Sequence, residues 1–277
     1  SSFFNFKEFN FMVMMAPQPT RFNNGITTCL PQTPFENFGY PDPTKWNVFS
    51  DDFMGTMPVA TYSDGANWIK SATGASTVAF GTAAAAGESG VILLTNTAGG
   101  TDFSHIQRTP VSHVLNPTGF TNTPQNYGKR WILWGRMSTN NQDETIGFGM
   151  QAANTTGILA GLVNGLMITK SGASSDVVFR VTKASSSIIA TATAVYPTAG
   201  ITTYLDVAMA FDGYNEIQCY AGQSTLGGTT PVKRASIAIN PSTQLPVVAM
   251  APIIGQVNTT ANARTMQMDY FGFAMER

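Results

Sequence analysis

Between residues 47 and 275 the chain is cut into short segments rich in β-branched and aromatic residues, each bounded by Gly, Pro or Asn/Asp clusters. They cover 47–53, 68–72, 91–95, 105–108, 130–137, 144–151, 165–171, 177–183, 188–194, 202–211, 216–221, 233–238, 248–257 and 265–275. Strands that short, at near-regular spacing and with hardly a helical window between them, predict two packed antiparallel sheets. Within 177–183, Val177, Phe179 and Val181 alternate with Val178, Arg180 and Thr182, so the first set is expected to face a core. Asp212-Gly213 supplies the positive φ that a tight hairpin between two of the segments needs. The stretches 71–90 and 222–230, rich in Gly and Thr, read as long loops, and the run 81–88 with its four alanines is the one helix-like window. No repeat of fixed period points to a propeller or solenoid.

Composition supports the same class. Only 11% of the 277 residues are charged, against roughly a quarter in an average globular chain, while 43% are hydrophobic. Disorder and long helical rods are thereby excluded, because the first needs charge without apolar residues and the second needs Glu, Lys, Arg and Leu in quantity. A net charge of -1 offers no field for nucleic acid or an anionic membrane. No segment reaches the apolar length of a membrane-spanning helix. A surface so poor in charge suits a protein held permanently against neighbours, since charge normally keeps free monomers and sheet edges apart.

The first 45 residues read differently. Phe3, Phe4, Phe6, Phe9 and Phe11 crowd the opening segment, and Asn5, Glu8 and Asn10 interrupt any signal-peptide core. From Ala16 to Thr44, prolines and Asn-Asn-Gly break both helix and strand, while Phe22, Phe35 and Phe38 punctuate the run. Residues 1–45 are therefore expected to form an extended arm whose phenylalanines need a partner surface, and residues 46–277 a sandwich domain.

Residues able to carry catalysis are scarce. Asp143 with Glu144, and Asp51 with Asp52, are adjacent in sequence and so point to opposite faces of a strand, where a glycosidase needs two carboxylates facing one sugar. Pairs from different strands, such as Asp206 with Glu216, are the other option, and all these carboxylates read best as solvated turn and edge charges. His105 and His113 are the only histidines; strand alternation puts His105 beside Phe103, as a packed side chain, and no Gly-x-Ser-x-Gly accompanies either. Cys29 and Cys219, the only cysteines, do not make a disulfide framework or a zinc site and are expected to stay reduced. Trp131 and Trp134 face opposite sides of one strand, and all four tryptophans, with Trp46 and Trp68, read as packing residues before sugar platforms.

Several short motifs resemble a family of tailed-phage virion proteins. They are Arg21-Phe22-Asn23-Asn24-Gly25-Ile26-Thr27, then Asp42-Pro43-Thr44-Lys45 leading into an aromatic, acidic first strand. Trp134-Gly135-Arg136-Met137, Ile146-Gly147-Phe148-Gly149-Met150, Phe211-Asp212-Gly213 and Met268-Asp269-Tyr270-Phe271-Gly272-Phe273 continue the likeness. The resemblance covers roughly residues 20–277, and the chain departs from it before Met15. It implies a concanavalin A-like jelly roll acting as a capsid decoration, or cement, protein. Such a protein has no catalytic residue, cofactor or metal. It sits as a homotrimer on the outer surface of an icosahedral head, against the major capsid protein. The rival classes are a carbohydrate-binding tail fibre or adsorption module and a β-sandwich glycosidase.

Overall fold

The computed structural model describes residues 46–51, 53, 68–81, 90–108, 129–141, 143–153, 156–197, 200, 202–225 and 231–276. Strands β1 (Trp46–Asp51), β2 (Trp68–Ala72), β3 (Thr77–Gly81), β4 (Val91–Asn96) and β5 (Phe103–Arg108) come first. They are followed by β6 (Trp131–Thr139), β7 (Glu144–Gln151), β8 (Gly165–Lys170), β9 (Val177–Lys183) and β10 (Ser186–Ala192). After them come β11 (Thr203–Phe211), β12 (Glu216–Thr225), β13 (Val232–Ala238), a one-turn helix α1 (Pro241–Gln244), β14 (Ala251–Asn258) and β15 (Arg264–Glu276).

These strands form two antiparallel sheets. The larger runs β13-β12-β11-β6-β15-β4-β3, with β1 also paired to β15; the smaller runs β10-β9-β8-β7-β14-β5-β2. Strand β15 is the hinge of the larger sheet. One of its flanks pairs with β6 along its length, and the other is shared by β4, opposite residues 264–268, and β1, opposite residues 271–276. A register shift between Met268 and Tyr270 lets Met266 and Met268 point inward before it and Phe271, Phe273 and Met275 after it. An extra residue in a bulge re-aims everything beyond it, and here it keeps one long strand buried across a change of phase.

Period-two alternation explains the core. Trp131, Leu133 and Met137 of β6 face Ile146, Phe148 and Met150 of β7 between the sheets, with Leu205, Val207, Met209 and Phe211 of β11 beside them. Val177, Phe179 and Val181 are buried in the same core, on the face their spacing predicts. Trp131 stacks on Phe211 at 5.8 Å, and Phe148 meets Phe271 edge-on at 5.7 Å, geometries that add to area burial. Two turns set the registers around it. Ala184 and Ser185, at φ 49° and 67°, join β9 to β10. Gly213, at φ 84°, joins β11 to β12, where the Asp212 carboxylate accepts from the backbone N–H groups of Tyr214, Asn215 and Glu216.

Some expectations need correction. The stretch 71–90 is not all loop, because residues 77–81 pair with β4 as an edge strand; Thr77, Val78 and Phe80 carry the β propensity that its Gly and Ala content hides. Strand β12 continues to Thr225, into the run read as a loop at 222–230, since Gly222 and Gln223 still pair with Asp206 and Leu205. Strand β10 ends at Ala192, and Ala194 lies in a turn at φ 53°. Strand β14 starts at Ala251, three residues after the expected 248. The helix α1, with Pro241 at its start, was not foreseen, and the helix-like run at 81–88 falls almost wholly outside the described residues.

Candidate interaction surface

The side chains of β6, β11, β12 and β15 that turn away from the core mix polar residues, such as Arg136, Ser138, Asp206, Gln218 and Gln267, with a distinct apolar group. Trp46, Ile132, Trp134, Ala208, Ala210, Tyr220, Tyr270 and Ala274 form a second buried cluster on the outer face of the larger sheet. The alanines leave room for the aromatic rings beside them: a Cβ at Gly272 would lie 2.2 Å from the Trp134 ring. Trp131 and Trp134 thus face opposite sides of β6, as their spacing requires, and all four tryptophans are buried. No described strand or helix packs across this outer face.

One charged group is set into it. Arg136 lies over the Tyr204 ring at 4.2 Å, with Nη1 3.2 Å from Asp269 and Nε 3.6 Å from Asp206. The Tyr270 hydroxyl donates to Asp206 at 3.3 Å. Burial pulls the Arg136 pKa down, but Asp206 and Asp269, with Tyr270 and Tyr204, together more than offset that and hold it above its ordinary value. Tyr270 is raised well above the phenol range by burial first and Asp206 second. A guanidinium placed between two carboxylates holds them together across strands, as a structural clamp does. Asp206 is buried, so its expected role as a solvated charge is wrong: strand parity places it on the outer face with Ala208 and Ala210. It is also six residues of register away from Glu216, which bonds Lys233 instead, so these two carboxylates do not share a site. The Asp206–Asp269 approach was invisible in sequence because the bulge in β15 creates it.

Glu144 corrects the same expectation. It is fully buried at the start of β7, on the face of Ile146 and Phe148, while its neighbour Asp143 points out to Arg264 at 3.4 Å. The Thr139 hydroxyl donates to Glu144 Oε1, and Oε2 has no hydrogen-bond partner. Lys170 of β8, also fully buried, donates to the backbone oxygens of Glu144 and Gly172. This end of the inter-sheet space is polar, and a few buried amides lie beside the apolar core. Ser104 donates to Asn96 at 2.7 Å, Asn96 to Asn258 at 3.2 Å, and Gln256 to the Leu94 carbonyl at 2.7 Å. Asp51 is not a free acid either. Its carboxylate accepts from the Trp68 indole at 3.0 Å and from the Phe53 backbone at 2.8 Å.

The outer face of the smaller sheet has its own cover. Ile158, from the β7–β8 connection, is fully buried with Met167 and Ile253, over Gly255. His105 lies under the same patch, stacked on Phe103 at 5.6 Å, in the packed role its spacing suggests. Cys219 is a free, buried thiol facing the core. Among the described residues no three His, Cys, Asp or Glu side chains gather as a metal site. Also among them, no helix is long and apolar enough to cross a membrane. The arm phenylalanines Phe3, Phe4, Phe6, Phe9, Phe11, Phe22, Phe35 and Phe38, with Cys29, Asp52 and His113, lie outside the described residues.

A scan against protein-family models matches none, and no curated protein sequence matches the chain. Solved structures do match. A protein of unknown function from Shewanella oneidensis MR-1 aligns with TM-score 0.52 at 12% identity, over 84% of this chain and 87% of that one. Peanut lectin aligns with TM-score 0.53 at 10% identity, over 83% and 97% of the two chains. The Ulex europaeus lectin UEA-II, complexed with galactose, aligns with TM-score 0.55 at 12% identity, over 82% and 98%. At such identities the likeness is one of fold. The chain is an all-β, two-sheet antiparallel jelly-roll sandwich of the kind found in legume lectins.

Proposed function

We propose that this protein is a non-enzymatic structural component of a phage virion, a decoration protein that binds and stabilises the icosahedral head. The observation that carries the reading is the larger sheet, which buries an apolar cluster on its outer face as well as on its inner one. An antiparallel sheet with one solvated face alternates apolar with polar residues, whereas here Ile132, Trp134, Ala208 and Tyr220 back onto Leu133, Met209 and Cys219. Such a sheet is covered on both sides. The chain enters β1 through Trp46, a member of the outer cluster, directly after the 45-residue segment rich in phenylalanine. The motif resemblance and the low charge support the same assignment, with the major capsid protein as partner and the copies seated as homotrimers on the outer capsid surface.

The test is to prepare heads with and without the protein and compare their heat stability and maps. Complete heads should withstand higher temperature, because a ligand of the assembled shell alone stabilises that state by mass action. Protein lacking residues 1–45 should remain folded and lose head binding. Unchanged head stability, with density confined to the tail, would overturn the assignment.

A second reading, carbohydrate recognition in an adsorption module, is supported by the fold shared with a lectin complexed with galactose. It predicts saturable binding of simple sugars such as galactose in calorimetric titration.

A further inference from the structure

Among the described strands, β10 is an outer strand of the smaller sheet. Among them it pairs with β9 alone, through a two-residue turn that makes Lys183 and Ser186 the closing pair. Residues flanking such a turn exchange backbone hydrogen bonds, and the pattern then alternates along the ladder. Ser186, Ile188, Ala190 and Ala192 therefore bond to β9, and the N–H and C=O groups of Ser187, Ile189 and Thr191 point to the open edge. Those three side chains are exposed, Ile189 at 54%. Edges are normally blunted by charge or proline. Strand β13 carries Lys233 and Arg234 and β2 carries Lys70, whereas β10, Ser-Ser-Ile-Ile-Ala-Thr-Ala, like β3, Thr-Val-Ala-Phe-Gly, carries neither charge nor proline.

We propose that β10 pairs with β10 of a second copy of this chain, antiparallel about a two-fold axis at Ile189. The sequence is self-complementary about that residue. The operation sets Ile189 against its own copy, Ser187 against Thr191, and Ile188 against Ala190. Aliphatic thus meets aliphatic and hydroxyl meets hydroxyl, the pairings that stabilise adjacent strands. A two-fold contact uses the same patch twice, so any charge near the axis would face its own sign. The charge nearest the axis on this face, Arg180, pairs with Ile189 across β9 and would stand about 14 Å from its mate, three strand spacings away and beyond the screening length at physiological salt. Joined this way, the two smaller sheets become one continuous sheet; β13 of the larger sheet lies against β10 but leaves Ile189 exposed. In a decorated shell such pairs link copies that belong to neighbouring trimers.

The experiment is sedimentation of the full chain over a range of concentrations, alongside Ile189→Lys. The unmodified chain should form a reversible dimer or a higher species built on it, and Ile189→Lys should raise the dissociation constant at least tenfold while leaving unchanged the thermal midpoint measured at concentrations where both chains are monomeric. Ile189→Cys in a Cys29→Ser background should yield a disulfide-linked dimer on mild oxidation, since paired α-carbons across such a ladder stand at about 5.5 Å, within disulfide range. A chain that stays monomeric throughout, or self-association as tight in Ile189→Lys as in the unmodified chain, overturns the proposal.

Discussion

Glu144 and Lys170 stand on adjacent strands, β7 and β8, and both turn their charged ends into the space between the sheets. Burial pushes the Glu144 carboxyl up from 4.5 to about 7 and the Lys170 ammonium down from 10.5 to about 8. Thr139, Lys170 and Arg264 restrain the first shift, and Glu144 and Asp143 the second.

The sign of the pH dependence follows. The folded state holds the Glu144 proton more firmly than the unfolded chain does, so that contribution is complete below pH 4.5 and is lost as pH rises through about 7. The Lys170 contribution is complete above pH 10.5 and is lost as pH falls through about 8. The pair therefore stabilises the fold least between pH 7 and 8, with each group contributing up to ~3 kcal/mol at its own extreme. Urea unfolding should show stability falling from pH 5 to 7, and Glu144→Gln should level that fall. A flat profile in the unmodified protein would refute the account.

Cys219 faces the core opposite Met209, and burial pushes its thiol far above the ordinary range. In a Cys29→Ser variant, a thiol reagent should find nothing to label in the native protein at pH 8 and one group per chain after denaturation. Rapid native labelling would mean that β12 opens readily.

A side chain at Gly255 has no room. Its Cβ would lie 2.2 Å from Ile158 Cγ2 and 2.5 Å from His105 Cβ. Gly255→Ala should cost about 1–3 kcal/mol by overpacking, and Ile158→Ala in the same chain should recover part of that loss. Thermal melts of the two single variants and the double variant measure the coupling.

Asp51 ties the sheets together at their edge, accepting from Trp68 of the smaller sheet while standing on β1 of the larger. It also holds Phe53 at φ 50°, a conformation rare for a large side chain. Asp51→Ala strands a buried indole N–H and should cost about 1–3 kcal/mol. Asp51→Asn keeps an acceptor and should cost less, with tryptophan fluorescence reporting both transitions.

Sheet architecture was legible because period-two alternation survives in most strands: Val177, Phe179 and Val181 declare their face without help from any neighbour. Strand β3 was hidden because Gly and Ala dilute its propensity, and an edge strand with one pairing partner needs little of it. The buried carboxylates were harder. Parity alone places Glu144 with Ile146 and Phe148, so its burial was readable from the strand pattern, but a charge at a strand end suggests solvent more strongly than its phase suggests the core. The Arg136 clamp was not readable at all, since Asp206 and Asp269 converge only through an irregularity in β15 that no local pattern announces. The apolar cluster on the outer face of the larger sheet was half visible: Trp134 was placed opposite Trp131, yet nothing local says that four neighbouring strands repeat the choice.

The position of β15 bears on time as well as on shape. Its partners are β1, β4 and β6, so Trp46 must find Glu276 and Thr95 must find Thr265 before the larger sheet has a middle. Closing loops that long spends chain entropy before any contact rewards it, and folds dominated by such pairings form on the millisecond-to-second scale or slower. By microscopic reversibility the same seam is the obstacle on the way out. A chain built like this crosses its barrier seldom in either direction, and its working lifetime is set by how rarely β15 leaves the sheet.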